Sequence, residues 1–262
     1  EQDPEMWWQA VIHCCQQLST QIPLHRVKAI GIAYQMHGLV LVDKDYQPIR
    51  PAIIWCDSRA VSIGEEAFNT LGADYCSQHL LNSPGNFTAA KLRWVQENEP
   101  QSFSNIHKIM LPGDYIALKL SGSVSTTTGG LSEATLWDFK EHRIASQLLK
   151  HWRLDSDLLP PLTPNLGEQV KLSSEAANHL GLKTGTPVTY RAGDQPNNAF
   201  SLNVLQPGEI AATAGTSGVI YGVTDNNCYD KQSRVNTFLH VNDNSPDTTR
   251  NGVLLCLNGA GR

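Results

Sequence analysis

Two segments of this sequence set chemically useful polar side chains where an extended run ends, the position at which α/β folds build their sites. The first is Gln35-Met36-His37-Gly38, between the apolar runs at residues 27–34 and 39–42. A neutral imidazole beside a carboxamide offers donors and acceptors together, as a hydroxyl-rich ligand requires. The same histidine in a tight connection can instead be spent on backbone groups. The second is Gly193-Asp194-Gln195, after the run at residues 187–190 and before a helix-compatible stretch reaching Leu202. A carboxylate there can cap the helix. It can equally accept the proton of an alcohol while Gln195 bonds a neighbouring hydroxyl. The residue types leave both roles open.

A third segment, Gly215-Thr216-Ser217-Gly218, has glycines that admit a ligand close to the backbone and hydroxyl and N–H groups suited to phosphate oxygens. A tight hairpin reads the same way. Val219 stands where a hydrolase nucleophile elbow needs its last glycine. There is no G-x-x-x-x-G-K-[ST] segment, so nothing points to a P-loop kinase. His13-Cys14-Cys15 resembles a metal cluster only on paper, because consecutive helical residues diverge. Asn86-Phe87-Thr88 matches a glycosylation acceptor without any secretory signal beside it, and is read as coincidence.

These segments need a scaffold, and the pattern supplies one. The stretch from Pro4 to about Ser19 carries Trp7, Ala10, Val11, Cys14 and Leu18 at helical spacing, with Pro4 in a first-turn position. Strands are predicted at residues 27–34, 39–42 and 49–55, and helices at residues 59–71, 88–98, 113–120 and 173–180. Residues 210–214 and 219–223 read as a hairpin. The class is therefore α/β, with helices and loops inserted on a sheet.

Composition excludes several partners. The 262 residues are 40% hydrophobic, enough for one large domain or two modest lobes. A net charge of -5 with no long Lys/Arg cluster gives no footprint for nucleic acid. No apolar run reaches the roughly 18 residues of a membrane span. Six cysteines without paired C-x-x-C spacing fit reduced thiols in the cytoplasm.

Taken in order, Gln35-Met36-His37-Gly38, Pro51-Ala52-Ile53-Ile54-Trp55-Cys56-Asp57-Ser58-Arg59, Ala192-Gly193-Asp194-Gln195 and Gly215-Thr216-Ser217-Gly218 resemble the FGGY carbohydrate kinases, from about Glu1 to about Gly259. Each motif is modest alone; four in the right order are specific. The first two look nearest to the members that act on xylulose. The resemblance implies an actin-like, RNase H-like sugar-kinase lobe with inserted helices and the start of a second lobe. Residues 1–207 would form the N-terminal sugar-binding lobe and residues 208–262 the beginning of a nucleotide-binding C-terminal lobe. It implies ATP and Mg²⁺ as cofactors and D-xylulose as the phosphorylated sugar, with ribulose, gluconate or glycerol as alternatives inside the family. A non-catalytic sugar-binding module is the alternative outside it.

By similarity, Asp194 is the general base, with an indirect part in holding Mg²⁺. Met36, His37, Trp55 and Gln195 would serve the sugar site, and Gly215, Thr216 and Ser217 would face the nucleotide phosphates. Trp55 otherwise reads as a core aromatic. There are departures from the family pattern. Its glycine- and threonine-rich opening hairpin has no counterpart before Glu1, and its adenine site has none before Arg262. Asn86 stands where some relatives have an aromatic ring. The expectation is a piece inactive by itself, with an exposed sheet edge and an apolar strand at residues 253–257 lacking neighbours, prone to self-association such as a homodimer.

Overall fold

The computed structural model describes residues 1–214, 218–243 and 249–257. The chain runs α1 (Pro4–Ser19), β1 (Ile30–Tyr34), β2 (Val40–Val42), α2 (Val61–Leu71), α3 (Ala73–Tyr75), α4 (Thr88–Asn98), α5 (Pro100–Ser104), β3 (Lys108–Met110), α6 (Pro112–Ser121), β4 (Thr126–Thr127), α7 (Thr128–Glu133), β5 (Trp137–Asp138), β6 (Arg143–Ile144), α8 (Ser146–Trp152), β7 (Leu162–Thr163), β8 (Leu166–Lys171), α9 (Ser174–Leu180), β9 (Pro187–Gly193), α10 (Asp194–Ser201), β10 (Ile210–Ala214), β11 (Gly218–Thr224), β12 (Asn236–Leu239) and β13 (Asn251–Leu257).

Helix α1 starts where its sequence permits: the Asp3 carboxylate accepts the Glu5 N–H at 3.0 Å. Pro4 occupies the first turn, where no N–H is needed. The helix buries Trp8 and packs on α6 and α9. Helix α6 opens with Asp114 accepting the Leu111 N–H at 3.2 Å. The other Asp114 oxygen takes Arg191 Nη1 at 2.9 Å, and Arg191 also donates to Ser125 O, Ser125 Oγ and Gln169 Oε1. This ion pair is buried on both sides. With its fork satisfied, Arg191 anchors β9 two residues before Gly193.

Two sheets matter for the site. In the first, ordered β1-β9-β8, β1 runs parallel to β9 with Tyr34 opposite Gly193, so both strands end at the same level. In the second, ordered β10-β11-β13-β12, every pairing is antiparallel. The main core gathers Trp8, Ile32, Tyr34, Leu39, Leu92 and Trp152, while a second core holds Met36, Ala199, Val204, Tyr221, Phe238 and Leu254. Met36 thus lies in a different core from its neighbours Tyr34 and Leu39.

Two side chains, Asn82 and Ser132, seal the outer edge of β12. Asn82 donates to Thr237 O at 2.7 Å and accepts Thr237 N–H at 3.0 Å, and Ser132 Oγ accepts the Leu239 N–H at 3.0 Å.

Two expectations need correction. Residues 49–55 make only isolated bridges, at Ala52 and Ile53, because Pro51 lacks the N–H group a continuous ladder requires. Residues 253–257 do not lack neighbours, since β13 is paired with β11 on one side and β12 on the other. Strand β1 is an edge of its own sheet.

Candidate active site

The turn after β1 puts its four polar and apolar groups to separate uses. Gln35 points toward the start of the chain and donates to Gln2 Oε1 at 2.8 Å. Met36 is buried and contributes its N–H to Asp194 Oδ1 at 3.3 Å. His37 has φ of 60°, the left-handed region that costs a non-glycine residue energy. Its N–H donates to Glu133 Oε1 at 3.4 Å, and its ring Nδ1 lies 3.0 Å from Glu133 O. A carbonyl can only accept, so Nδ1 carries the hydrogen and Nε2 is the lone-pair nitrogen of the neutral ring. Burial pushes the His37 pKa down to about 3, and the nearby Lys91 adds to this. The ring packs against Phe87 at 4.7 Å and Phe238 at 5.4 Å, both aromatics of the second core.

Helix α10 begins at Asp194, whose carboxylate is not spent on its own helix. Oδ1 accepts from Met36 N–H and Oδ2 from Gln195 Nε2 at 2.7 Å. Of the two roles the residue types allowed, capping is the one this geometry does not use. Gly193 is required by packing, not by its backbone, which has φ of -57°. A Cβ there would come within 2.4 Å of Met36 Cγ and 2.6 Å of Glu133 Oε2.

Trp55 is 61% exposed, so it is no core aromatic. It is tied to the histidine turn through its neighbour: Lys91 Nζ donates to Ile54 O at 3.0 Å and to His37 O at 2.7 Å. Asp57 and Arg59 of the same segment pair bidentately, through Nε–Oδ1 at 2.9 Å and Nη2–Oδ2 at 2.6 Å, and hold the Asp57 carboxyl down at about 2. Arg59 also stacks over Trp94 at 4.6 Å. The Asn86 amide donates to Asp57 O. Asp57 and Arg59 therefore shape the segment that carries Trp55. Gly215, Thr216 and Ser217 lie outside the described residues.

The residue pattern alone did not single out Lys91 and Glu133. Both are buried. Burial lowers Lys91 to about 8 against the opposing pull of Asp57. Burial first, then Asp114 and Asp194, hold the Glu133 carboxyl well above the carboxylate range, and it shares a hydrogen bond with Tyr34. The available signal was a lone charge inside an apolar stretch, Ala89-Ala90-Lys91-Leu92 and Leu131-Ser132-Glu133-Ala134.

Residues 1–201 match the N-terminal domain of the FGGY family of carbohydrate kinases. The chain belongs to that family. It is 34% identical over 246 residues to the xylulose kinase of Escherichia coli K12, covering 92% of this chain and 49% of the relative. It is 32% identical to that of Klebsiella pneumoniae, covering 92% and 50%. The chain thus spans about half the length of the curated relatives it matches. Among solved structures, a xyloylose kinase from Brucella ovis superposes with a TM-score of 0.88 at 27% identity, over 98% of this chain and 52% of the other. Plasmodium falciparum glycerol kinase with ADP shares the fold at a TM-score of 0.87 and 18% identity, over 100% and 53%. The actin-like sugar-kinase fold expected from the motifs is the fold observed. No helix among the described residues is long and apolar enough to cross a membrane.

Proposed function

We propose that this FGGY chain carries the sugar-recognising part of an ATP-dependent kinase that phosphorylates D-xylulose, with Asp194 as general base. The observation that supports this most is the meeting of the two strand ends: Asp194 and the Met36-His37 turn are joined by one hydrogen bond, at 3.3 Å. A neutral His37, whose Nε2 is a lone-pair acceptor, suits a sugar hydroxyl. Asp194, whose oxygens are held among the described residues by Met36 N–H and Gln195, can take the proton of a second hydroxyl. The hydroxyl oxygen then bonds to the γ-phosphorus as the bond to the β–γ bridging oxygen breaks, and the proton rests on Asp194. Trp55 would stand at the rim of the sugar site.

Among the described residues no group of three or more His, Cys, Asp or Glu side chains gathers to hold a metal. Mg²⁺ needs no such cage, since it takes oxygens from one or two carboxylates, waters and phosphates, and Asp194 is a donor of that kind. MgATP, when bound, supplies the phosphoryl group and neutralises its charge. In the same reading, residues 208–262 begin the second lobe, and Gly215, Thr216 and Ser217 face the phosphates.

Calorimetric titration of the chain with D-xylulose, D-ribulose, D-gluconate, glycerol and MgATP, repeated on Asp194→Ala, tests the reading. Tightest binding of D-xylulose, weakened by the substitution, is expected. A folded chain that binds none of the sugars, or binds them equally well without Asp194, overturns it.

A further inference from the structure

His37 is gripped at every polar backbone atom it has. Glu133 takes its N–H, Lys91 donates to its C=O at 2.7 Å, and Glu133 O holds its ring Nδ1 at 3.0 Å. Both partners come from separate helices, α4 and α7, and both are at most 2% exposed. Burying an ammonium and a carboxyl group is costly, and each must be repaid by good hydrogen bonds. A left-handed turn as such needs none of this, because glycine adopts it freely. What the two buried groups preserve is an imidazole at that turn, in one tautomer.

We propose that Lys91 and Glu133 are positioning residues that clamp the backbone of His37, fixing the turn and the Nδ1–H tautomer so that Nε2 serves as a hydroxyl acceptor in the sugar site. The inference rests on the reading of His37 as a sugar-facing residue, but the clamp has a signature that needs no sugar. The low proton affinity of the half-buried ring agrees with it, since His37 then stays neutral across the physiological range. Lys91 carries the effect further, because the same Nζ fixes Ile54 O and with it the segment leading to Trp55. Removal of either clamp should therefore disturb recognition while Asp194 remains intact.

The test uses the full chain with Lys91→Met, Glu133→Leu and Glu133→Gln. Glutamine keeps a carbonyl oxygen to accept from the His37 N–H and an amide beside the Tyr34 hydroxyl, whereas leucine offers a partner to neither. The sugar-free readout is NMR of the His37 ring nitrogens and of the exchange rate of its amide, assigned with His37→Gln. In the parent chain and in Glu133→Gln, a single Nδ1–H ring and a protected amide are expected. Glu133→Leu should exchange that amide at least about tenfold faster, and Lys91→Met should average the two tautomers.

D-xylulose affinity should fall about tenfold in Lys91→Met and Glu133→Leu and stay within about twofold in Glu133→Gln. Unchanged ring and amide signals in Lys91→Met and Glu133→Leu overturn the clamp, as does a Glu133→Gln variant that behaves like leucine. If Lys91→Met fails to fold, the leucine and glutamine pair decides. A parent chain with the expected ring signature that binds no sugar sinks the sugar reading and leaves the clamp standing.

Discussion

The ends of β1 and β9 lie side by side, and they are built in opposite ways. After β1, His37 sits in a strained conformation held by two buried ionisable residues and two aromatic rings. After β9, Asp194 sits at an ordinary helix start and is touched by one backbone N–H and one glutamine side chain. The strand beneath Asp194 is the rigid part, pinned by Arg191 three residues earlier. Recognition by a fixed acceptor tolerates heavy scaffolding. A group that must gain and lose a proton cannot have its lone pairs used up.

Substitutions can break this contrast, and the largest effect should come from the anchor under β9. Arg191→Met strands Asp114 as a buried carboxylate and should cost about 3–5 kcal/mol in urea denaturation. A loss below about 1 kcal/mol would show that β9 is not held there. Acid should act next, and on the histidine side. The pKa of His37 is depressed from 6.5 to about 3, so its contribution is present above 6.5 and is lost as pH falls below it. By pH 4 that amounts to about 3 kcal/mol, and because Glu133 shifts in the opposite direction the effect is isolated as the difference between the parent chain and His37→Gln in melts from pH 7 to 4. Identical profiles would mean that the ring is not desolvated.

Gly193→Ala should cost about 2 kcal/mol by wedging Met36 away from Glu133, unless the flexible methionine turns aside, in which case a melting temperature close to that of the parent follows. The smallest stability effect belongs to the proposed base. Asp194→Asn should change stability by less than about 1 kcal/mol, because Asn can still accept from Met36 and bond Gln195. A loss comparable to that of Arg191→Met would move Asp194 to the scaffold side of the comparison.

Local pattern carried the helices well: residues 88–98 were expected as a helix and form α4, and the expected hairpin partners are β10 and β11. It could not carry pairing across long stretches of chain. The expected strand at residues 39–42 finds its partner in Lys108–Met110, about which no short window holds information. Of the residues that the strand-end motifs proposed for a site, Met36, His37, Asp194 and Gln195 lie together in the structure at the ends of β1 and β9. Lys91 and Glu133 escaped notice because a single charge in a helix reads as its exposed face until tertiary packing turns that face inward. For Trp55, whose type alone also allowed a core aromatic, packing removes that alternative by leaving the ring 61% exposed.

The amide of Asn82 gives the second sheet something like an extra strand made of one side chain. With Ser132 it occupies the outward N–H groups of Thr237 and Leu239 and the carbonyl of Thr237. A chain approaching from that side finds no unpaired ladder to template on, so β12 is protected from the edge-to-edge growth that leads to insoluble aggregates. Replacing Asn82 would expose that rim, and its cost would be felt in solubility before it was felt in the site.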